Sequence, residues 1–568
     1  MPNVSKSMGK IESLFEEMQI FRADHLPIMA NFCRQINLIE TINRVVPNNM
    51  NLDVGTIIQG MVLDTLSSRS PLYRLASFFL HQDTELLLGR ELSETSFNDT
   101  TVARAMDAVF KVGAQKVFSE VAFQAAKIFS LTMNHVHFDT TSVSVWGAYD
   151  CCAPESKNLN ITFGKSKDLR PDLKQFLIKM LCVNGNIPIL GGCEDGNTSD
   201  KPINNTLLTR LSRCMARYGL KPGAFLYIAD CAMVTEDNLR VVGDNLFVTR
   251  LPFTYNEACR VVSEAIAEDK WDRIGVLNQT PPTVKRPATR YSIAEKKVTL
   301  YGQEYRVVVV HSTAHDKRRL KRINREIQQS EKTLRKGLCE ELKREYFCRS
   351  DAEATVSKLS DTHNNDLHRI EISVTEKIRY KRGRPRKNKT KKIASVRYLL
   401  NARIAEKSEE IQKKRDEAGC FVLLTNVSSE GNDKQTGTEL LRAYKDQHGI
   451  ERNFAFIKDP LFVNDLFLKK PERIEVLGMV LLSALLIWNL IEHTLRQHIQ
   501  KHQETLPGWD NKPTTRPTTF MLSTKFSGLQ VAKFGHQKRF TKPLNKAQKL
   551  YLKALGLSEQ DLLNQNKL

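Results

Sequence analysis

The chain has 568 residues, enough for about three or four domains with sizeable cores. Its 85 Lys and Arg against 64 Asp and Glu leave a formal charge of +21, which suits a polyanionic partner, nucleic acid first and an anionic membrane surface second. Eleven cysteines without a CxxC pair or a Cys/His spacing of zinc type exclude a zinc module and read as thiols in a reducing compartment.

The opening MPNVSKSMGKIESLF lacks the apolar stretch of a secretory signal, so a soluble, cytoplasmic protein is expected. Residues 1–130 read as an all-helical N-terminal domain, with a DNA-binding role in view. Within it, Ser96 to Thr101 form an N-cap cluster ahead of VARAMDAVF. That helix is either the second of a helix-turn-helix or an ordinary member of a helical bundle.

From Leu131 the pattern turns to strands. NHVHFDTTSVSVWG alternates, with Val136, Phe138 and Thr140 on one side and His137, Asp139 and Thr141 on the other. ITFGKSKDLRPDL and QFLIKMLCV read as two further strand-like runs, with Lys165, Lys167, Arg170 and Lys174 in a basic loop between them. Ser199 is the expected cap of a helix through NNTLLTRLSRCMARYG. GAFLYIADCAM is a buried strand ending in Asp230, where an open α/β sheet places ligand-binding groups and where turns also favour aspartate. LFVTRLP closes this block at about residue 254.

Residues 255–430 have a different character. RYSIAEKKVTLYGQEYRVVVVHS predicts two strands around a Gly-containing turn, and His315 to Phe347 a long charged helix. HRIEISVTEKIRY then leads into a basic segment, residues 377–392, in which ten of sixteen residues are Lys or Arg and none is acidic. Its centre, Arg382-Gly383-Arg384-Pro385, is similar to an AT-hook, an extended backbone lying in a narrow A·T minor groove. A basic loop that binds phosphates without reading sequence is the alternative. GCFVLLTNV is a last strand. Val476 to Ile491, an apolar run of 16 residues that includes Gly478, Ser483 and Asn489, is short for a membrane span and predicts a buried core helix from about Arg473 to Ile499.

Between these lies YKDQHGIERNFAFIK. Thr438 as cap and Pro460 as stop predict one helix from about Glu439 to Lys458. At about 100° per residue, Tyr444, Gln447, Glu451 and Lys458 fall within an arc of about 60°. A solvated polar face would give the same pattern.

The order of the pieces resembles the DDE transposases of bacterial insertion sequences. An aspartate on a first strand (FDTTS), one ending a later strand (IADCA) and a glutamate on a late helix follow one another, with a long insertion before the third. The late helix resembles the Tyr-x2-Arg-x3-Glu-x6-Lys signature of the insertion-sequence-four superfamily, read here at Tyr444, Gln447, Glu451 and Lys458. GKSKDLRPDLKQ and GNTSD are most similar to its insertion-sequence-1634 group. The departure is Gln447, since an amide supplies no fixed charge to a phosphate.

The resemblance implies an α/β fold: a ribonuclease-H-like core, a mixed sheet flanked by helices, interrupted by a β-rich and helical insertion. The core would comprise residues 131–254 and 431–500, with the insertion at 255–430 and a C-terminal region at 501–568. Asp139, Asp230 and Glu451 would be catalytic and would hold two Mg²⁺, with Mn²⁺ able to substitute. Tyr444, Gln447 and Lys458 would hold the DNA end; Arg382, Arg384, Lys165, Lys167 and Arg170 are further candidate DNA contacts. Double-stranded DNA, as element ends and target, is the implied partner of a homodimer on DNA, without membrane or small-molecule cofactor. Related members flip a base onto a tryptophan during hairpin excision, for which Trp271 is a candidate. A nuclease on the same core without strand transfer, and a DNA-binding relic, remain alternatives.

Overall fold

The computed structural model describes residues 18–67, 74–149, 158–184, 186–277, 282, 287–363, 365–382, 391–430, 434–459, 468–535 and 537–563. The chain divides into two compact units, residues 1–249 with 443–568, and residues 250–442. The N-terminal helices, the core strands and the C-terminal region, expected as separate segments, therefore fold as one unit. The segment expected as an insertion, residues 255–430, falls within the second unit.

In the first unit, β1 (Met18–Arg22) pairs antiparallel with Gln530–Phe534, which pairs in turn with Gln537–Phe540. So residues 18–22 and 530–540 share one small sheet. Helices Leu26–Gln35, Leu38–Val45, Val54–Leu66, Asp99–Val112 and Ala114–Ile128 follow β1. Asp53 and Asn98 cap two of them by accepting from the amides of Thr56 (2.9 Å) and Thr101 (3.0 Å), which satisfies donors that a helix start leaves open. Every residue of Val54–Leu66 is buried.

The main sheet of this unit contains β2 (His135–Val145), β3 (Lys174–Val183), β4 (Ile187–Glu194), β5 (Leu226–Ile228) and β6 (Leu246–Leu251), in the order β4-β3-β2-β5-β6. β3 runs antiparallel to both β2 and β4, while β5 lies parallel to β2 and to β6. ITFGKSKDLRPDL is not a strand: it contributes one isolated bridge, Thr162 to Gln175, and is otherwise a loop. Charged residues and Pro171 leave it no alternating apolar face to bury.

The helix Pro471–His502 is long and apolar enough to cross a membrane, yet its apolar residues are buried in the first unit. It lies against β4 so closely that a Cβ on Gly191 would stand 2.7 Å from Leu482 Cδ1. Its apolar surface is consumed by packing, as in the core helix of a soluble protein.

The predicted helix Glu439–Lys458 is instead two helices, Gly437–Lys445 and His448–Lys458. At the break the amides of Gln447, Gly449 and Ile450 each donate to the carbonyl three residues earlier, the tighter 3₁₀ pattern. Gly449, a poor helix former, sits at that turn. The shared face computed for four residues thus holds for Glu451 and Lys458 alone.

The second unit holds β7 (Asp272–Val276), β8 (Arg290–Leu300) and β9 (Gln303–Ser312), then the ribbon of β10 (His368–Tyr380) and β11 (Ile393–Glu406), and β12 (Cys420–Thr425). β12, β9, β8 and β7 are antiparallel neighbours in that order. The helix Thr313–Lys343, predicted over His315 to Phe347, buries Ile323, Ile327, Leu334 and Leu338 at helical spacing.

Candidate active site

β2 and β5 pair in parallel up to His137 and Ile228. Two residues further along each strand stand Asp139 and Asp230, so two carboxylates come level on neighbouring strands, whose spacing is about 4.8 Å. Asp139 accepts from the Thr140 amide at 2.7 Å. Asp230 begins a 3₁₀ turn, accepting from the Ala232 amide at 3.1 Å, while Thr249 Oγ1 donates to its carbonyl at 2.6 Å. Strand pairing and the turn thereby fix both side chains.

Burial pushes the Asp139 carboxyl up to about 6, and the charges of Asp230 and Asp200 push it in the same direction. Asp230 is raised by burial and then by Asp200. Asp200, first residue of the helix Asp200–Ala216, accepts from Thr140 Oγ1. Lys167 answers this negative charge. Its ammonium lies 2.7 Å from Thr140 O and from Thr140 Oγ1, 3.4 Å from Asp200 and 3.8 Å from Asp139. Lys167, expected on DNA, is turned onto the acidic residues because they are its nearest counter-charge.

Two glycines hold its loop. A Cβ on Gly164 would overlap the Gly196 carbonyl, and one on Gly196 the Gln175 carbonyl. Gln175 Nε2 donates to Gly196 O at 2.7 Å, and the Gly196 amide to Asn160 O at 2.9 Å. The GKSKD and GNTSD stretches are thus one packed unit, which brings Lys167 and Asp200 together.

The helix His448–Lys458 is anchored from beneath. Asn453 Nδ2 donates to Asn186 O at 2.6 Å, and Asn489 Nδ2 to Asn186 O and Asn453 Oδ1 at 2.9 and 3.0 Å. On the outer side, Lys458 meets Asp168 of the GKSKD loop at 2.5 Å. Glu451, seven residues earlier, shares that helix face. Its carboxylate is 66% exposed and lies 3.0 Å from His448 Nδ1. Glu451 is not brought against Asp139 or Asp230, and Asp200 is the third acid beside them. Sequence reasoning passed over Asp200, although it closes the quoted GNTSD, because the neighbouring Ser199 drew the capping role; that serine makes no side-chain cap hydrogen bond.

Among the described residues, no group of three or more His, Cys, Asp or Glu is close enough to hold a metal. The Asp139–Asp230 pair nonetheless fits a hard divalent cation by its chemistry. It offers oxygen donors, and burial, which raises both carboxyls by disfavouring their charged forms, is a cost that a bound cation would offset.

The remaining candidates are scattered. Tyr444 is half-buried on the preceding helix, and Gln447 stands at the break. Arg170 is taken by Asp172, at 2.7 Å, and lies over the Trp146 ring; Lys165 is exposed. Arg382 is exposed beyond the end of β10, and Arg384 falls outside the described residues. Trp271 meets His311 edge-on. Residues 18–123 match a domain of unknown function, DUF4277. No curated protein matches the chain.

Proposed function

We propose that the protein is a DDE transposase that cuts DNA at the ends of its element and joins the freed 3′-hydroxyls to target DNA. The observation that carries this reading is the level placement of Asp139 and Asp230 on adjacent parallel strands. The strand order β4-β3-β2-β5-β6, with β3 alone reversed against its neighbours, supports a ribonuclease-H-like core. The charge of +21 supports a DNA partner; a homodimer on DNA and a cytoplasmic location belong to the same reading.

Asp139 and Asp230 would hold Mg²⁺, with Glu451 as a further ligand. Bound there, the ion would supply Lewis-acid activation of the attacking and leaving oxygens of a phosphodiester. The chain's own residues do the rest. β2 and the Asp230 turn orient the carboxylates, and the Asn186–Asn453–Asn489 network holds the late helix over the sheet. Lys458 pairs a DNA phosphate and Tyr444 donates to one. Gln447 can donate hydrogen bonds but adds no charge; His448 and Arg452 on the same helix can supply it. Glu451 is exposed, so its release from His448 needs a side-chain rotation rather than an unpacking.

The pairing of Glu451 with His448 favours one second reading, a relic that binds DNA without cutting it. Strand transfer separates the two. Purified protein, Mg²⁺ and a duplex ending in the element's own 3′-hydroxyl should give covalent joining to plasmid DNA. Binding without any joined product would favour the relic.

A further inference from the structure

Two neighbouring residues of opposite charge leave loop 165–172 in different directions. Lys167 places its ammonium among Thr140 O, Thr140 Oγ1, Asp200 and Asp139, at 2.7 to 3.8 Å. Asp168 places its carboxylate 2.5 Å from Lys458 Nζ. An ammonium beside Asp139 and Asp200 neutralises part of the negative charge that a divalent cation on Asp139 and Asp230 would neutralise. A carboxylate on Lys458 satisfies the same donor that a phosphate oxygen would.

The loop is hydrogen-bonded around Ser166 and solvent-exposed at its crest. The Lys167 amide donates to Ser142 Oγ at 2.9 Å, and Ser166 Oγ accepts from the amides of Asp168 and Arg170 at 3.2 Å. Next to them Leu169 is 88% exposed, an apolar side chain that packs on nothing, with φ at +59°. Only glycine adopts that region without strain, so the crest is held in a disfavoured backbone conformation and burial gives it little in return.

We propose that loop 165–172 is a built-in mimic of the site's two charged ligands. Lys167 stands for the cation and Asp168 for a DNA phosphate, and DNA and metal must displace them together. The proposal rests on the transposase reading, which makes Lys458 a phosphate contact and Asp139 a metal ligand. Because one loop carries both mimics, a phosphate that takes Lys458 from Asp168 loosens Lys167 as well. Cation and DNA binding are then positively coupled.

Two binding measurements on the full-length protein test this, and neither reads activity. Duplex affinity is measured by fluorescence anisotropy in EDTA, and Mn²⁺ affinity by electron paramagnetic resonance. Asp168→Asn should tighten DNA binding about fivefold, and the gain should vanish in a Lys458→Met background, as expected for removal of one competing exposed ion pair. Lys167→Met should tighten Mn²⁺ binding about fivefold by the same argument. Misfolding would weaken binding, so a gain cannot come from it. If the wild type binds both ligands but the variants bind no tighter, or if Asp168→Asn gains equally without Lys458, the mimic is wrong. If the wild type binds neither Mn²⁺ nor DNA, the transposase reading fails and the mimic with it.

Discussion

Asp230 stands level with Asp139, two residues beyond the last paired positions of β5 and β2. Neither residue carries this information alone: FDTTS is an alternating strand and IADCA an ordinary strand end. The parallel pairing converts two common local patterns into one charged site, and the consequences are measurable.

The first concerns pH. The Asp139 carboxyl is raised by burial to about 6 in the folded chain, against 3.8 unfolded. The folded state therefore binds the extra proton between those values, and stability falls as pH rises through that window. In metal-free buffer, Asp139→Asn should raise stability at pH 7.5 by about 3 kcal/mol and change it little at pH 4. Urea unfolding at the two pH values checks this.

The second concerns the joining of the chain's ends. Lys538, nearly buried in the C-terminal strand, lies 2.8 Å from Asp83 and 3.0 Å from Glu85. Lys538→Met leaves both acids without that cation and should cost about 3 kcal/mol. Thermal melting of the full chain measures it, and loss of less than a third of that would mean Lys533 compensates.

The third concerns the basic segment. Replacing Arg382 and Arg384 with Ala should weaken duplex binding and lower the slope of log affinity against log salt by about 2, one unit per lost phosphate contact. A slope equal to the wild type's would mean that Arg382 and Arg384 make no phosphate contact.

Much of the sheet was legible. Alternation in HVHFDTTSVSV and the apolar runs of QFLIKMLCV, FLYI and LFVTRL mark β2, β3, β5 and β6 within a residue or two. β4 was missed, although Asn184-Gly185 ahead of IPIL is a hairpin signal and Asn184 has a φ of +49°. The union of residues 1–249 with 443–568 was not legible, because strand pairing between Met18–Arg22 and Gln530–Phe534 leaves no mark at either end. In the site, the two aspartates were found by pattern. Asp200 and the inward turn of Lys167 were not, because they depend on Gly164 and Gly196 packing two loops that lie thirty residues apart in the chain. The break before His448 escaped a scheme that assumed a constant 100° per residue.

The central proposal is that Asp139 and Asp230, with Glu451 recruited as a further ligand, serve metal-dependent DNA cutting. Its most direct test is cleavage of end-bearing duplex by the wild type and by Asp139→Ala, Asp230→Ala and Glu451→Ala, with Mg²⁺ and with EDTA. The account predicts cleavage at the element end by the wild type with Mg²⁺ alone, abolished in all three variants while duplex binding persists. Undiminished cleavage by Glu451→Ala, or by either aspartate variant, would contradict it.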